Sequence, residues 1–318
     1  MIEIPGAILV SGNLVHDIVV RPASEIRFGG TIWVDRIEQH MGGNGASTSY
    51  AAALLGAPVR LIGMIGDDDF GLQIRTRLAS AGVDVSLLAT NVEHGTASSV
   101  VIVREDGARA FLHKPGVSSV AFAPPFSITQ ASAAGCSHYH LANPYSLPHV
   151  RPIAGRLLRE AKELGLTTSL DTAWDSRGEW MQVLEPCLAH LDLLFVNEEE
   201  ARLLTGADDP ESAARHFLNA GAGSVVIKLG ARGAVVFGKD RLDVPAHVVD
   251  AADTTGAGDC FAGALLAGLY HGYPPRRAMQ LANAAGALSV SRVGATSGLL
   301  PLAETLDWAA SSSPTPCR

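Results

Sequence analysis

The chain has 318 residues, of which 47% are hydrophobic and 18% are charged. This balance is typical of a compact globular protein and excludes an intrinsically disordered one. With 24 basic and 32 acidic side chains the formal charge is −8, and Lys and Arg form no cluster. We therefore expect no nucleic-acid partner.

The apolar segments indicate the expected location of the protein. The first apolar run, "AILVSG", is too short for a signal peptide, and no stretch reaches the ~18 apolar residues of a membrane span. The cysteines form no CxxC pair, which favours reduced thiols; they are Cys136, Cys187, Cys260 and Cys317. We expect a cytoplasmic protein with no membrane partner.

The first half of the chain combines two kinds of pattern. A strand is predicted at Ala7–Gly12, followed by a glycine-rich turn, a small-residue helix, the buried strand "VRLIGMIG" and an amphipathic helix. Two amphipathic strand pairs, at about 13–40 and 97–114, do not fit this alternation, and a turn at Asp106-Gly107 joins the second pair. We expect them to form a small β-sheet that stands off the main domain.

The second half alternates short apolar strands with helices. The strands run from "SHYHLAN" to "RLDVPAHVV", and the last helices are predicted to begin at Asp259 and Pro275. Continuously apolar strands between helices indicate a mostly parallel sheet that is covered on both faces, the α/β class. One domain spanning 1–318 is expected, with a frayed tail at Ser311–Arg318.

The strongest chemical signal is the stretch "DTTGAGDCFAGALLAGL". Gly256 and Gly258 allow a tight turn, and the helix that follows begins with free N–H groups and a positive dipole end. Such a turn is an anion-binding pocket, and Asp259 would lie beside the bound anion. An anion hole next to a base suits phosphoryl transfer to a hydroxyl group. The alternative is that Asp259 is only an acid at a helix start.

This stretch resembles the C-terminal signature of the ribokinase-like (PfkB) carbohydrate kinase family. The segment "GGNGASTSYAAALLGAPVRLIGMIGDDDFG", 42–71, resembles the N-terminal signature of the same family. The resemblance implies phosphorylation of a sugar or nucleoside with ATP and Mg²⁺. It also implies a Rossmann-type three-layer α/β/α domain with a small β-sheet lid, formed by the two strand pairs, and a homodimer through that lid.

The resemblance assigns the catalytic and metal-binding residues. Asp259 would be the general base. The backbone amides of the turn would form the anion hole, which comprises Thr255, Gly256, Ala257, Gly258 and Asp259. Asn197 and Glu200 in "VNEEEA" match the NxxE motif of the family, which organises Mg²⁺ through its waters.

The resemblance also assigns the nucleotide site and a possible second cation. The expected nucleotide-binding residues are Lys228, Gly230, Gly233, Thr255, Asn197 and Asn283. For Asn283 the alternative is a polar residue on a helix surface. Several relatives bind a monovalent cation such as K⁺ through main-chain carbonyls of two loops, which here contain Asp253, Thr255, Ser289, Arg292 and Gly294.

The acceptor is expected to bind between the early motifs and the lid. By resemblance, the acceptor-binding residues are Asn13, Asp17, Gly42, Gly43 and Asn44. Further candidates are Asn143 and, at the end of a lid strand, His113 and Lys114, for which the alternative is exposed polar groups at a strand end. Ser47 stands where many relatives have Asn, so one contact to a substrate hydroxyl is left open. The unusual segment "SLDTAWDSRGEW" places Asp171, Trp174 and Asp175 after a strand, and we expect it to shape the acceptor pocket or its wall. Arg104 and Arg109 flank the lid turn and are expected to be solvated; the alternative is contact with a phosphate on an acceptor that already carries one.

Several other functions lack their motifs. No GxGxxG opens the first βα unit, and the P-loop GxxxxGK[ST], the GxSxG elbow and HExxH are absent. A non-catalytic sugar-binding protein of this fold would be expected to lose the base, which is present. A purine nucleoside kinase stays open as the alternative, because Trp33 and Phe111 suit either a sugar or a nucleobase.

Overall fold

A computed structural model describes residues 1–23, 26, 28–105 and 108–312. Three sequence predictions therefore lie outside the described residues: the turn at Asp106-Gly107, the thiol of Cys317 and the end of the tail, 313–318. The cysteines at 136, 187 and 260 are unpaired. Within the described ranges, no helix is long and apolar enough to cross a membrane.

Strands and helices alternate along the described chain, as the sequence predicts. The strands are β1 (Ala7–Gly12), β2 (Val15–Arg21), β3 (Arg36–Gly42), β4 (Val59–Gly66), β5 (Val83–Asp84), β6 (Leu88–Asn91), β7 (Ala97–Val103), β8 (Arg109–Lys114), β9 (Cys136–Ala142), β10 (Thr167–Asp171), β11 (Leu193–Asn197), β12 (Val225–Lys228), β13 (Ala234–Phe237) and β14 (Leu242–Val244). The helices are α1 (Asn44–Leu54), α2 (Asp69–Ser80), α3 (Ala154–Glu163), α4 (Met181–Leu188), α5 (Glu198–Thr205), α6 (Pro210–Asn219), α7 (Ala257–Tyr270), α8 (Pro275–Val290) and α9 (Leu302–Ser311).

The large sheet is mostly parallel, which confirms the α/β prediction. Its strand order is β14-β13-β12-β11-β10-β9-β1-β4-β5, and β6 pairs with β4. Pairing is parallel from β12 through to β5 and antiparallel only at β12–β13 and β13–β14. The carboxyl ends of β1, β9, β10, β11 and β12 therefore meet along one edge of the sheet, where ligands bind in open α/β folds.

The core consists of one apolar cluster on each face of the large sheet. One cluster contains buried side chains of α1, α2, α7 and α8, and the other contains those of α3, α4, α5 and α6. The middle strands serve both clusters: in β11, Leu194 and Phe195 are fully buried and point to opposite faces. This arrangement explains why these strands are continuously apolar in sequence.

A separate small sheet contains the described parts of both amphipathic strand pairs. Its order is β3-β2-β7-β8, with β2 and β7 parallel and the two outer pairs antiparallel. The predicted strand "TIWVDRIEQH" begins only at Arg36, because the preceding segment is exposed and makes no ladder; Trp33 is 90% exposed.

Three described elements were not expected from the sequence. Strand β5 has two residues, and the four residues of β6, "LATN", lack the apolar alternation of a half-buried strand. Helix α9 follows Pro301 and packs on α8 near the end of the chain. Its position overlaps the predicted frayed tail only at Ser311.

Helix α1 packs unusually close to both β1 and α7. A Cβ on Gly263 of α7 would lie 2.4 Å from the carbonyl oxygen of Thr48 in α1. On the other side of α1, a Cβ on Gly12 would lie 2.7 Å from the Cα of Gly45. Backbone therefore touches backbone at both contacts, and this brings the first residue of α1 beside the first turn of α7.

We expect Gly263→Ala to lower the free energy of unfolding by about 1–3 kcal/mol, because overpacking forces the two helices apart. The matched control is Gly286→Ala in α8, where the nearest atom to an added Cβ lies at 3.7 Å. This change should be neutral or stabilising by up to about 1 kcal/mol. Urea titrations without nucleotide measure both values, and equal effects would contradict the tight packing of α1 on α7.

Candidate active site

The N-terminus of α7 has the geometry of an anion-binding turn. Gly256 precedes the helix with φ 74° and ψ 1°, and a Cβ there would lie 2.5 Å from the Cβ of Ala295. The left-handed backbone and the close contact both require glycine. The N–H of Ala257 donates to the carbonyl oxygen of Thr254 at 3.4 Å. Because the first N–H groups of a helix have no carbonyl partner within it, those of Gly258 and Asp259 are directed towards an anion beside Asp259.

Three segments that are distant in sequence meet at Asp259. The Nδ2 of Asn44, the first residue of α1, donates to Oδ1 of Asp259 at 2.8 Å. The Nδ2 of Asn143, which follows β9 with φ 62°, donates to Oδ1 of Asn44 at 2.8 Å. The Oδ1 of Asn13 accepts from the backbone N–H of Asn44 at 3.1 Å. The structure thus brings three predicted acceptor residues to the predicted base.

The surroundings of Asp259 raise its pKa above the usual range of an aspartate. Burial is the main cause, and the charge of Glu200 acts in the same direction. The hydrogen bond from Asn44 and the charge of Lys228 oppose this rise. A carboxylate with a raised pKa is a stronger base, which suits the removal of a proton from a hydroxyl group.

A row of polar side chains crosses the small sheet. Asp17 on β2 lies opposite His40 on β3 and Ser99 on β7, and Ser99 lies opposite His113 on β8. The Oγ of Ser99 is 3.1 Å from Nδ1 of His113. Burial raises the pKa of Asp17 to about 6. The predicted acceptor residues Asp17 and His113 therefore share one face of the small sheet.

The two glycines before α1 permit close contacts at this face. A Cβ on Gly42 would lie 2.0 Å from Oδ2 of Asp17. Gly43 has φ 91°, and a Cβ there would lie 2.6 Å from the carbonyl oxygen of Asn13. Both glycines are needed to connect the small sheet to α1 at this distance. Ser47, the departure from the family pattern, is fully buried and its hydroxyl has no hydrogen-bond partner.

A cavity of about 600 Å³ opens beside the first residues of α7. Its lining contains five predicted nucleotide residues, Asn197, Lys228, Gly230, Gly233 and Asn283, together with Ala257 and Gly258. Thr255 is not part of the lining, whereas its neighbour Thr254 is, together with His247 and Phe261, which the sequence did not indicate. The predicted nucleotide residues thus lie on one side of the anion-binding turn.

The wall of this cavity is fixed by the turn after β12. Gly233 has φ 99°, and a Cβ there would lie 2.2 Å from the carbonyl oxygen of Val244. The Nδ2 of Asn283 donates to the carbonyl oxygens of Val244 and Pro245, each at 3.0 Å. Asn283 is 5% exposed, which excludes the alternative of a helix-surface residue.

The NxxE residues form a capping box at the start of α5. Oδ1 of Asn197 accepts from the backbone N–H of Glu200 at 2.8 Å, and Oε2 of Glu200 accepts from Oγ1 of Thr172 at 2.7 Å. Across the described ranges, no group of three or more His, Cys, Asp or Glu residues could hold a metal directly. A few oxygen donors at the edge of the nucleotide cavity fit Mg²⁺, which keeps several waters.

Lys228 forms a buried ion pair with Asp171. Its Nζ lies 2.7 Å and 2.9 Å from the two carboxylate oxygens. Although burial acts in the opposite direction, the carboxylates of Asp171, Glu200 and Asp259 raise the pKa of Lys228. We expected the segment that contains Asp171 to shape the acceptor pocket or its wall; the carboxylate of Asp171 contacts Lys228, a residue of the nucleotide cavity. The sequence signal was an acid at the carboxyl end of a parallel strand.

The loops predicted to hold a monovalent cation are joined through Asp253. Its Oδ1 accepts from Nη1 of Arg109 at 2.7 Å and from the N–H of Thr255 at 2.9 Å, and its Oδ2 accepts from the N–H of Gly294 at 2.9 Å. Arg109 is thus bound to the anion-hole loop, and the expectation that it is solvated was wrong. The side chains of the other two predicted residues, Ser289 and Arg292, do not join this network: Ser289 donates to Gly286 inside α8, and Arg292 is exposed.

The family model of the pfkB family carbohydrate kinases matches residues 8–302, almost the entire chain. The chain belongs to this family. As a pfkB kinase it is 34% identical over 292 residues to the ATP-dependent ribose-1-phosphate kinase of Halopiger xanaduensis, covering 87% of this chain and 94% of that protein. It is 29% identical over 309 residues to the ribokinase of Haemophilus influenzae, covering 94% and 97%.

Solved structures of the family have the same architecture as this pfkB kinase. A crystal structure titled as a Ribokinase II of E. coli, in complex with ATP and Mg²⁺, has a TM-score of 0.83 at 27% identity, over 96% of this chain and 99% of that one. The chain therefore has the ribokinase-like fold and is an ATP-dependent carbohydrate kinase. The complex with ATP and Mg²⁺ supports the same two cofactors here.

We expect Asn44→Ala to move the acid limb of the pH dependence of kcat/KM to higher pH. The Asn44 amide stabilises the charged form of Asp259, and a hydrogen bond to a charged group contributes about 1.5–3 kcal/mol, or about 1–2 pKa units. A general base acts in its deprotonated form, so with Asp259 as the predicted base we expect activity above the pKa of Asp259 and its loss as the pH falls through that pKa.

The control for this measurement is Asn143→Ala, which removes the same chain of hydrogen bonds one step farther from Asp259 and should move the limb less. Product formation against pH, at low acceptor concentration, measures both. If the acid limb does not move in Asn44→Ala, the hydrogen bond from Asn44 does not lower the pKa of Asp259.

Proposed function

We propose that this kinase transfers the γ-phosphoryl group of ATP to a hydroxyl of a sugar or sugar derivative, with Asp259 as the general base. The observation that carries the proposal is the contact of Asn44 with Asp259 at the N-terminus of α7. There a base and an anion-binding turn lie between the nucleotide cavity and the predicted acceptor residues.

The proposed reaction is an in-line transfer with a simple balance. The acceptor hydroxyl gives its proton to Asp259 as its oxygen forms a bond to the γ-phosphorus. The bond from the γ-phosphorus to the bridging oxygen breaks, and its electron pair leaves with ADP. The amides of Gly256 to Asp259 stabilise the charge on the transferred group. Mg²⁺, held by Asn197 and Glu200 through its waters, would neutralise phosphate charge.

The polar groups near Asp259 favour a hydroxyl-rich acceptor. The amides of Asn13, Asn44 and Asn143 and the carboxylate of Asp17 offer both donors and acceptors to sugar hydroxyls. The names of the two relatives, a ribose-1-phosphate kinase and a ribokinase, support a sugar. A purine nucleoside is the second candidate, because Phe111 shares a face of β8 with His113 and is 57% exposed, so it is available for stacking.

We expect Asp259→Asn to lower kcat by about 10²–10⁴-fold with nucleotide affinity nearly unchanged, because only the proton acceptor is lost. The matched control is Asp69→Asn, which removes an exposed acid from the first turn of α2. It should leave kcat unchanged. A loss of less than about tenfold in Asp259→Asn would support the reading of Asp259 as only a helix-start acid.

The acceptor is identified by ADP release with ATP and Mg²⁺ against a panel. The panel contains free pentoses and hexoses, sugar phosphates, keto-deoxy sugar acids and purine nucleosides. A strong response to one sugar supports the proposal, and a response to a nucleoside alone would replace it by the second candidate. A silent panel, with ATP binding retained, would contradict both.

We also propose that the small sheet is the lid of one kinase domain spanning 1–318 and that two copies pair through it. The outer face of this sheet carries an apolar group beside Gln39, and this group consists of Ile18, Val20, Ile37, Val100, Ile102 and Leu112. Ile37 is 66% and Leu112 is 62% exposed. Exposed apolar side chains on one sheet face are typical of a protein interface.

The double variant Ile37→Glu/Leu112→Glu is expected to convert a dimer into a monomer, because it places charges in the apolar interface. Leu72→Glu, on α2, is the control, since Leu72 is also 62% exposed but lies outside the small sheet. Light scattering after size exclusion measures the mass. A monomeric unmodified protein would contradict the proposal, as would a double variant that remains dimeric.

A monovalent cation and a cytoplasmic location stay predictions. The contact of Gly294 with Asp253 supports a common site for the two loops. However, the charge of the Asp253 carboxylate is already compensated by Arg109. We therefore propose that main-chain carbonyls would supply the ligands for K⁺ and that the acceptor panel be run with and without it.

A further inference from the structure

The ammonium group of Lys228 lies directly against the anion-binding turn. A Cβ on Gly258 would be 2.9 Å from Nζ of Lys228, so the glycine leaves just enough room for the ammonium. Lys228 and Gly258 also line the same nucleotide cavity. Any anion held by the first amides of α7 is therefore close to this positive charge.

Asp171 holds Lys228 in this position. Both carboxylate oxygens contact Nζ, and the Asp171 side chain is only 3% exposed. The carbonyl oxygen of Asp171 accepts from the N–H of Asn143 at 3.1 Å, which ties the end of β10 to the acceptor side of the site. An ammonium has three N–H donors, so at least one remains for an oxygen of a bound ligand.

The balance of charge at this point requires a fixed cation. Lys228 is the single Lys or Arg among the described residues that line the nucleotide cavity. The negative charges of Asp171, Glu200 and Asp259 all act on its ammonium group and favour the protonated form. A polyphosphate in this cavity meets Lys228 as the one Lys or Arg of the described lining, and the ammonium lies beside the turn where charge would develop during transfer.

We propose that Lys228 donates a hydrogen bond to the γ-phosphoryl group during its transfer, as a catalytic residue of this chain, and that Asp171 is the positioning residue that aims it. The inference rests on the proposed function. Lys228 keeps its protons throughout: the acceptor proton goes to Asp259, and the electron pair of the broken bond goes to ADP. The lysine supplies charge at the phosphoryl oxygens.

The test compares the affinities of two nucleotides in Lys228→Met. Calorimetric titration with Mg·ADP and with Mg·AMP-PNP isolates the contribution of the γ-phosphoryl group. The affinity for ADP should stay nearly unchanged, and the preference for AMP-PNP over ADP should be lost. With an acceptor from the panel, kcat should fall by about 10²–10³-fold, as for removal of one donor to a developing charge.

A second variant separates this role from folding. Lys228→Met leaves the Asp171 carboxylate buried without its partner, which destabilises proteins. The double variant Lys228→Met/Asp171→Asn removes both charges and should fold, yet it should lose kcat as completely as Lys228→Met. Lys162→Met is the matched control: Lys162 contacts both oxygens of Asp192, at 2.6 Å and 2.7 Å, away from the site. It should change neither nucleotide affinity nor kcat.

Asp171→Asn tests the positioning role by itself. The variant retains Lys228 but loses the ion pair that fixes the position of its ammonium group. We therefore expect kcat to fall less than in Lys228→Met, with the KM for the acceptor unchanged. Because Asp171 is proposed to act through Lys228, the effects of the two substitutions on kcat should not add in the double variant. Additive effects would mean that Asp171 acts independently.

Three results would overturn the inference. They are equal weakening of ADP and AMP-PNP in Lys228→Met, an unchanged kcat in the double variant, and additive effects of the two substitutions. Failure of the proposed function gives a different result: the unmodified protein would not turn over any acceptor, whereas the titrations with ADP and AMP-PNP would still report whether Lys228 contacts the γ-phosphoryl group.

Discussion

The site depends on the close approach of three backbone segments around α1. Gly12 of β1 meets Gly45 of α1, and Gly263 of α7 meets the carbonyl oxygen of Thr48. A Cβ on Gly12 or on Gly263 would lie 2.7 Å or 2.4 Å, respectively, from these backbone atoms, so a side chain at either position would push the elements apart. Asn44 reaches Asp259 at 2.8 Å only because the helices that carry them are in backbone contact. The glycines thus fix the geometry of the chemistry as well as the packing.

The parts that could be predicted from the sequence are those with local causes. The glycines of the α7 turn and the apolar β strands have a conformational meaning that can be read within a few residues. The Lys228–Asp171 pair has no such signal, because 57 residues separate its partners and sequence periodicity does not reveal which strands are neighbours. The same holds for Arg109, whose partner Asp253 lies 144 residues away. From the sequence alone, a charged side chain near a turn is predicted to be solvated, because its distant partner can be identified only from the tertiary fold.

The small sheet combines two surfaces with different requirements. One face carries the row of Asp17, Ser99 and His113, and its Arg109 binds the loop that precedes α7. The opposite face exposes Ile37 and Leu112. Successive side chains of a strand point to opposite faces, so one segment can carry polar residues on one face and apolar residues on the other. This explains why these strands are amphipathic, whereas the strands of the large sheet, buried on both faces, are continuously apolar. A movement of the small sheet would displace or break the contact between Arg109 and Asp253, because this contact joins the sheet to the anion-binding loop.

Several acidic side chains lie around the anion-binding turn, and their charges determine the pKa values of the site. Burial is the largest cause of the raised pKa of Asp259 and of Asp171, and the charge of Glu200 raises both further. A base needs this rise, but a polyphosphate is repelled by the same negative charge. Lys228 compensates for it locally, since its ammonium lowers the pKa of Asp259 and also stands against Gly258. One cation held by Asp171 therefore limits how far the base becomes protonated and lowers the repulsion at the point where the phosphate must enter.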